Sequence, residues 1–159
     1  MKKINELLGI SNNDAEQLII KLNHLLANYQ MYYQNLRGFH WNVKGEKFFE
    51  LHLKFEELYN DAVLKIDEIA ERILTLGGIP AHSFSSYLKL ALIKEEENVT
   101  HGPTGVEQTA TSLALLIRLE KEILSLASKA GDEGTQTLLT DYVSQQEKVL
   151  WMLAAYLNK

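Results

Sequence analysis

Two histidines, His40 and His52, lie within the stretch RGFHWNVKGEKFFELHLKFEE, residues 37–57, and Glu56 follows the second by four positions. On a helix, an i, i+4 spacing puts two side chains on one face about a turn apart. His52 and Glu56 can therefore be aimed at one ion. Asp67 and Glu71 repeat the spacing further along. Imidazole and carboxylate without thiolate form a donor set that suits iron cycling between its ferrous and ferric states, with positions left open for an oxidant. Such pairs are also common as solvated or salt-bridged charge, so a plain acidic helix face is the alternative reading of the spacing.

The four residues have a further regularity. His52, Glu56, Asp67 and Glu71 each follow an apolar position (Leu51, Phe55, Ile66 and Ala70), and at about 100° per residue they form one polar stripe beside the apolar face. Along the axis, Glu56 and Asp67 are about 16 Å apart at about 1.5 Å per residue. Two pairs that far apart cannot share an ion held by bonds of about 2 Å. A second copy of the chain resolves this. If two such helices pack antiparallel about a two-fold axis, His52 and Glu56 of one copy face Asp67 and Glu71 of the other, giving two equivalent sites. His40 lies on the face continued from Leu36 and can add a second imidazole to each. His24, His82 and His101 have no acid at ligand spacing and read as surface or loop residues.

Long helices are required to carry this stripe. Leu18, Leu22, Leu25, Tyr29, Tyr32 and Leu36 recur at steps of four and three, which predicts a first helix from about 14 to 40, with Asn13 and Glu16 as its capping pair. Residues 42–45 form a turn. A second helix carries Leu51, Phe55, Leu58, Ala62, Ile66, Ile69 and Ile73, and LGGIP closes it. Residues 81–104 form a long connection in which SSYLKLALI can make a short helix, KEEEN is a solvated run and THGPTG is a loop. Thr104 and Glu107 form a capping box for a third helix that shows Leu116, Leu119, Ile123 and Leu126 and stops at Gly131. A fourth carries Leu139, Tyr142, Val149, Leu153 and Tyr156. Two helical hairpins joined by one long crossover make an all-α, ferritin-like four-helix bundle, with a short extra helix in the crossover between helices 2 and 3. One domain over residues 1–159 is expected.

Composition narrows the chemistry. There is no cysteine, which removes disulfides, thiolate metal sites and thiol catalysis. No signal-peptide pattern and no apolar run of membrane-spanning length occur, so the expectation is a cytoplasmic protein without a membrane partner. The net charge of -5 opposes general affinity for phosphate backbones.

FHWNVKGEKFFELH, FEELY and DEIAERILTLGGIP resemble the Dps family, the DNA-binding proteins from starved cells, which are small ferritin-like proteins. The likeness is close over the first two helices, and the second hairpin agrees in length and in its ending KVLWMLAAYL. The resemblance implies a hollow dodecamer that binds ferrous iron at two-fold interfaces and oxidises it as a ferroxidase, preferentially with hydrogen peroxide. It also implies storage of the ferric mineral inside, protecting against oxidative stress. By position, the family's histidine ligands fall on His40 and His52 of one subunit, and its Asp-x-x-x-Glu ligands fall on Asp67 and Glu71 of the neighbour. Many members have aspartate where this chain has Glu56, so Glu56 is a ligand candidate for the second iron or an outer position. Trp41 takes the family's tryptophan position beside the site, with electron transfer or packing as its role.

The family name suggests a second function, a DNA-compacting nucleoid protein with little ferroxidase activity. Members that bind DNA use a Lys/Arg-rich tail, whereas this chain has only Lys2 and Lys3 at one end and Lys159 at the other. Direct DNA binding is therefore not expected. Asp132, Glu133 and Asp141 are candidates for lining a three-fold pore that admits cations.

Overall fold

Apolar periods broken by glycine and proline give six helices in the computed structural model, which describes residues 3–158: α1 (Ile4–Leu7), α2 (Asn12–Asn42), α3 (Phe48–Thr75), α4 (Phe84–Leu90), α5 (Gly102–Ala130) and α6 (Glu133–Tyr156). Lys2 and Lys159 lie outside the described residues. No strand forms among them, and no helix of the described residues is long and apolar enough to cross a membrane. The α2–α3 and α5–α6 hairpins pack together to make the four-helix bundle, with α2 lying against both α3 and α5. The short α1 was not expected. Asn5, buried within α1, donates from its amide to the Ile10 carbonyl and to Asn12, which ties α1 to the start of α2.

Two helix starts differ from expectation. Ser11, not Asn13, caps α2: its hydroxyl accepts from the Asp14 amide at 3.1 Å and donates to the Asp14 carboxylate at 2.6 Å. That arrangement satisfies two groups at once and outcompetes a start two residues later. Helix α5 begins at Gly102, with His101 at its N-cap and Pro103 in its first turn, before the expected box at Thr104. Proline is at home there because its missing N–H has no partner to lose. The Thr104 hydroxyl bonds instead to His101 Nδ1 at 3.0 Å. The stops agree with expectation: Gly77 (φ +86°) and Gly131 (φ +66°) both adopt the left-handed conformation just past a helix end.

The crossover lies along α2 and is fixed there by three asparagines that the apolar pattern does not reveal. Asn23 donates to the Ile79 carbonyl and accepts from the Ala81 amide at 2.6 Å. Asn28 accepts from the amides of Leu92 and Ile93, both at 2.9 Å. Asn35 donates to the Lys94 carbonyl at 2.8 Å and accepts from the Glu96 amide at 3.0 Å. Each carboxamide uses both its donor and its acceptor, which a helix-interior asparagine does when loop backbone replaces water around it. His24 joins the set by bonding through Nδ1 to the Leu90 carbonyl at 3.1 Å, so it is a half-buried helical anchor and not the surface or loop residue expected.

Between the hairpins the core is not wholly apolar. Glu120 is completely buried, and one of its oxygens accepts from the Tyr29 hydroxyl at 2.6 Å and from the Gln146 amide at 2.8 Å. Its other oxygen has no partner. Burial raises the Glu120 carboxyl from its ordinary 4.5 to about 7, against the opposing pull of those two hydrogen bonds. Across α3 and α6, Arg72 donates to Asp132 at 2.5 Å and to Thr135 at 2.9 Å, while Tyr142 hydrogen-bonds Glu68.

Because the Glu120 pKa is raised in the folded chain, ionisation penalises the native state; the penalty is absent below about 4.5 and complete above about 7. Native stability from this group therefore falls by up to about 3 kcal/mol as pH rises from about 4.5 to about 7. Glu120→Gln is expected to flatten the pH dependence of the urea midpoint; an unchanged slope would contradict the assignment. Asn28→Leu strips the buried Ile93 amide of its acceptor and is expected to cost about 2 kcal/mol, with faster hydrogen exchange at residues 92 and 93.

Candidate metal centre

A helix leaves its last four carbonyls without intrahelical partners, and α2 ends at Asn42. The Val43 amide takes the Phe39 carbonyl at 2.9 Å. The next carbonyl, that of His40, is taken by a side chain from the following helix: His52 Nδ1 lies 2.8 Å from it. The exchange is reciprocal, with His40 Nδ1 placed 2.8 Å from the His52 carbonyl. The two rings stack at 3.7 Å between centroids and 22° between planes. Phe48 stacks on the outer side of His52 at 5.1 Å, and Phe39 packs on Phe55 at 5.6 Å beneath. The end of α2 and the first turns of α3 are thus locked through the very groups that could bind a metal.

Carbonyl oxygens only accept, so each Nδ1 must carry a proton and each neutral imidazole presents its lone pair at Nε2. Metal-binding histidines are commonly oriented this way by a partner on the second nitrogen. Glu56, one turn after His52, completes the group: one ligand atom from each of His40, His52 and Glu56 lies within 4.8 Å of the other two. His40 is buried, while His52 and Glu56 are half-buried, so the donors sit at the rim of the bundle with an open side. Two neutral nitrogens and one carboxylate suit a divalent first-row ion such as ferrous iron.

Asp67 and Glu71 are not brought to this group. Both are exposed on α3, further along the helix that carries His52 and Glu56. Trp41 is 57% exposed, with the Arg37 guanidinium over its ring at 4.6 Å. Exposed apolar side chains also lie on α3, among them Phe49, Leu53 and Leu64.

Residues 19–159 match the family model of a ferritin-like domain. A Dps protein from Vibrio cholerae O1, described as a member of a broad superfamily of ferritin-like diiron-carboxylate proteins, superposes with a TM-score of 0.93 at 50% identity over 95% of each chain. Dps from Staphylococcus aureus does so with a TM-score of 0.86 at 34% identity, over 89% of this chain and 95% of that one. The DNA protection during starvation protein of Porphyromonas gingivalis is 45% identical over 159 residues, the full length of both. The chain belongs to the Dps family.

Within this Dps chain, one of the three acids expected at a pore has another task. Asp132 is 2% exposed; its carboxylate caps α6 through the Thr135 amide and hydroxyl and pairs with Arg72. A carboxylate whose oxygens are already engaged below the surface does not present charge to passing cations. Glu133 and Asp141 are exposed and share a shallow cleft on α6 with Gln136, Thr137 and Thr140. Tyr59, a residue that the ligand spacing does not mark, meets His40 edge-on at 5.3 Å.

The reciprocal bonds predict that both His40 and His52 are Nδ1-protonated tautomers when neutral. Imidazole nitrogen-15 shifts measured on the metal-free protein check this, and an Nε2-protonated ring at either position would contradict the geometry.

Proposed function

We propose that this Dps chain is a ferroxidase and iron store: a homododecameric shell in which His40, His52 and Glu56 of one subunit face Asp67 and Glu71 of a second copy. In this reading it works in the cytoplasm, oxidises ferrous iron preferentially with hydrogen peroxide, and holds the ferric product inside. The observation that carries the reading is the locked imidazole pair, whose Nδ1 atoms are spent on main-chain carbonyls, with one ligand atom from each ring and from Glu56 all within 4.8 Å of one another. Supporting it are the exposure of Asp67 and Glu71, which leaves them available to a neighbour, and membership of a family whose solved Vibrio cholerae relative is described as a ferritin-like diiron-carboxylate protein.

Iron is the substrate here. Two ferrous ions give one electron each to one peroxide, whose O–O bond breaks; with water, the products are ferric oxyhydroxide and protons, and no hydroxyl radical is released. His40 and His52 supply neutral nitrogen donors. Asp67 and Glu71 offset the charge that rises as iron is oxidised, with Asp67 as the bridging carboxylate and Glu71 as a terminal one. Glu56 is a ligand or close neighbour of the second ion. The nucleoid-compacting alternative is less well supported, because a chain of net charge -5 has little to offer a polyanion.

Rapid ferric absorbance is expected when ferrous iron and peroxide are added, and His52→Ala with Asp67→Ala should slow it at least about 100-fold, since even outer-shell changes cost 10–100-fold. Sharing between subunits has its own signature. Shells co-assembled from equal parts of a His40→Ala/His52→Ala chain and an Asp67→Ala/Glu71→Ala chain should regain about one quarter of the parent rate, the fraction of random pairings that leave a site intact. No recovery would contradict a site built from two copies.

A further inference from the structure

Where the crossover meets α2, two side chains fix its path. His24 bonds through Nδ1 to the Leu90 carbonyl, and Asn28, one turn on, accepts from the Leu92 and Ile93 amides while donating to the His24 carbonyl. These bonds spend the polar groups of the two segments on each other. Beside them lies a cleft of about 520 Å³ between α2, the crossover and α5, walled by Ile20, Leu90, Leu92, Leu119 and Ile123. That volume falls in the range of pockets that take a small organic molecule, about 300–1,000 Å³.

The charged residues around the cleft are mainly of one sign. Lys21, Lys89 and Arg118 line it together with a single acid, Glu122. Glu122 lies 3.6 Å from Lys21, so these two offset each other, and Lys89 and Arg118 are left without an ion pair among the described residues. The other two arginines are engaged: Arg37 lies over the Tyr33 and Trp41 rings, and Arg72 pairs with Asp132. In a chain of net charge -5, two uncompensated cations beside an apolar cleft are a local reversal of sign. A guanidinium offers a planar fork of N–H groups that matches carboxylate and phosphate.

We propose that this cleft is a binding site for a small organic anion, with a carboxylate or phosphate head held by Arg118 and Lys89 and an apolar body lying against Leu92, Leu119 and Ile123. The site shares no residue with the metal centre, so the two readings stand or fall separately. The bonds of His24 and Asn28 hold the wall in place beforehand, which lowers the ordering cost of binding. A polyanion fits less well, because the chain around the two cations is acidic and a phosphate backbone has no apolar body to fill the cleft.

The test uses anilinonaphthalene sulfonate, an apolar anion that fluoresces on leaving water, with the full-length assembled protein and with octanoate, octyl phosphate and octanol as competitors. Expected is saturable binding that both octyl anions displace, and that octanol displaces at least about tenfold less well, the size of one hydrogen bond to a charged group. Arg118→Gln with Lys89→Gln should weaken the probe and both anions at least about tenfold. Lys129→Gln with Lys148→Gln, the same loss of charge at exposed lysines outside the cleft, should leave binding unchanged. Equal losses in the two double variants would overturn the site in favour of an effect of net charge. Octanol competing as well as octanoate would overturn it in favour of a plain apolar patch. Binding to phosphatidylglycerol vesicles without binding of free octanoate would also overturn it, by assigning the two cations to a lipid surface. Absence of saturable binding would remove the site altogether.

Discussion

The exchange between His40 and His52 is the constraint on which the site depends. Each imidazole spends one nitrogen on the other residue's main chain at 2.8 Å, and what is left is a matched pair of Nε2 lone pairs. The same two bonds join the last turn of α2 to the second helix of its hairpin, so fold and site share one set of contacts. A helix end with unsatisfied carbonyls is ordinarily a weakness, solved by glycine, by water or by a tightened turn. Here the demand is met by a side chain, and meeting it fixes which nitrogen of that side chain remains for chemistry. Phe48 stacks on the His52 ring, which helps to hold the pair in register.

The rest of the bundle places polar groups where apolar ones would pack, and for several of them a specific partner compensates. Asn23, Asn28 and Asn35 trade water for the backbone of the crossover. Asp132 and Arg72 bury a charge pair that also caps α6. The buried Tyr32 hydroxyl has no partner, and Glu120 is only half satisfied. Glu120 receives two donors on one oxygen and none on the other, so the centre of the bundle carries a carboxylate whose ordinary ionisation is displaced by burial. Ferritin-like proteins can build metal sites from inward-facing carboxylates on bundle helices. In this chain the corresponding space holds Tyr29, Gln146 and Glu120 bonded to one another, and the three clustered donors lie at the rim instead.

Much of this was readable from residue spacing. The i, i+3 and i, i+4 apolar pattern found all four long helices, and Gly131 marked a true stop because only a left-handed residue fits there. The pairing of His52 with Glu56 was legible for the same reason, being a property of one helix. What spacing could not show were contacts made across the fold. Nothing local says that His52 will seek the His40 carbonyl, that Asn28 will meet residues 92 and 93, or that Asp132 will turn inward to Arg72. The misplaced caps had a different cause. Ser11 and Asn13 are both good cap residues, and Pro103 and Thr104 both signal a start; the choice fell to Ser11, which satisfies two groups through Asp14, and to Pro103, which costs nothing at the first turn. Three asparagines in the interior of one helix, Asn23, Asn28 and Asn35, were a usable sign, since asparagine is a poor helix former unless its amide has work to do.

Helix α2 is covered on one side by α3, on another by α5 and along a third by the crossover, with α1 and α4 also against it. Neither hairpin is a module that would survive the other's departure, because peeling either one away would wet the central rod along its whole length. Loss of order in this chain is accordingly a single concerted event, in which the donors at the rim persist for as long as the entire bundle does and no longer.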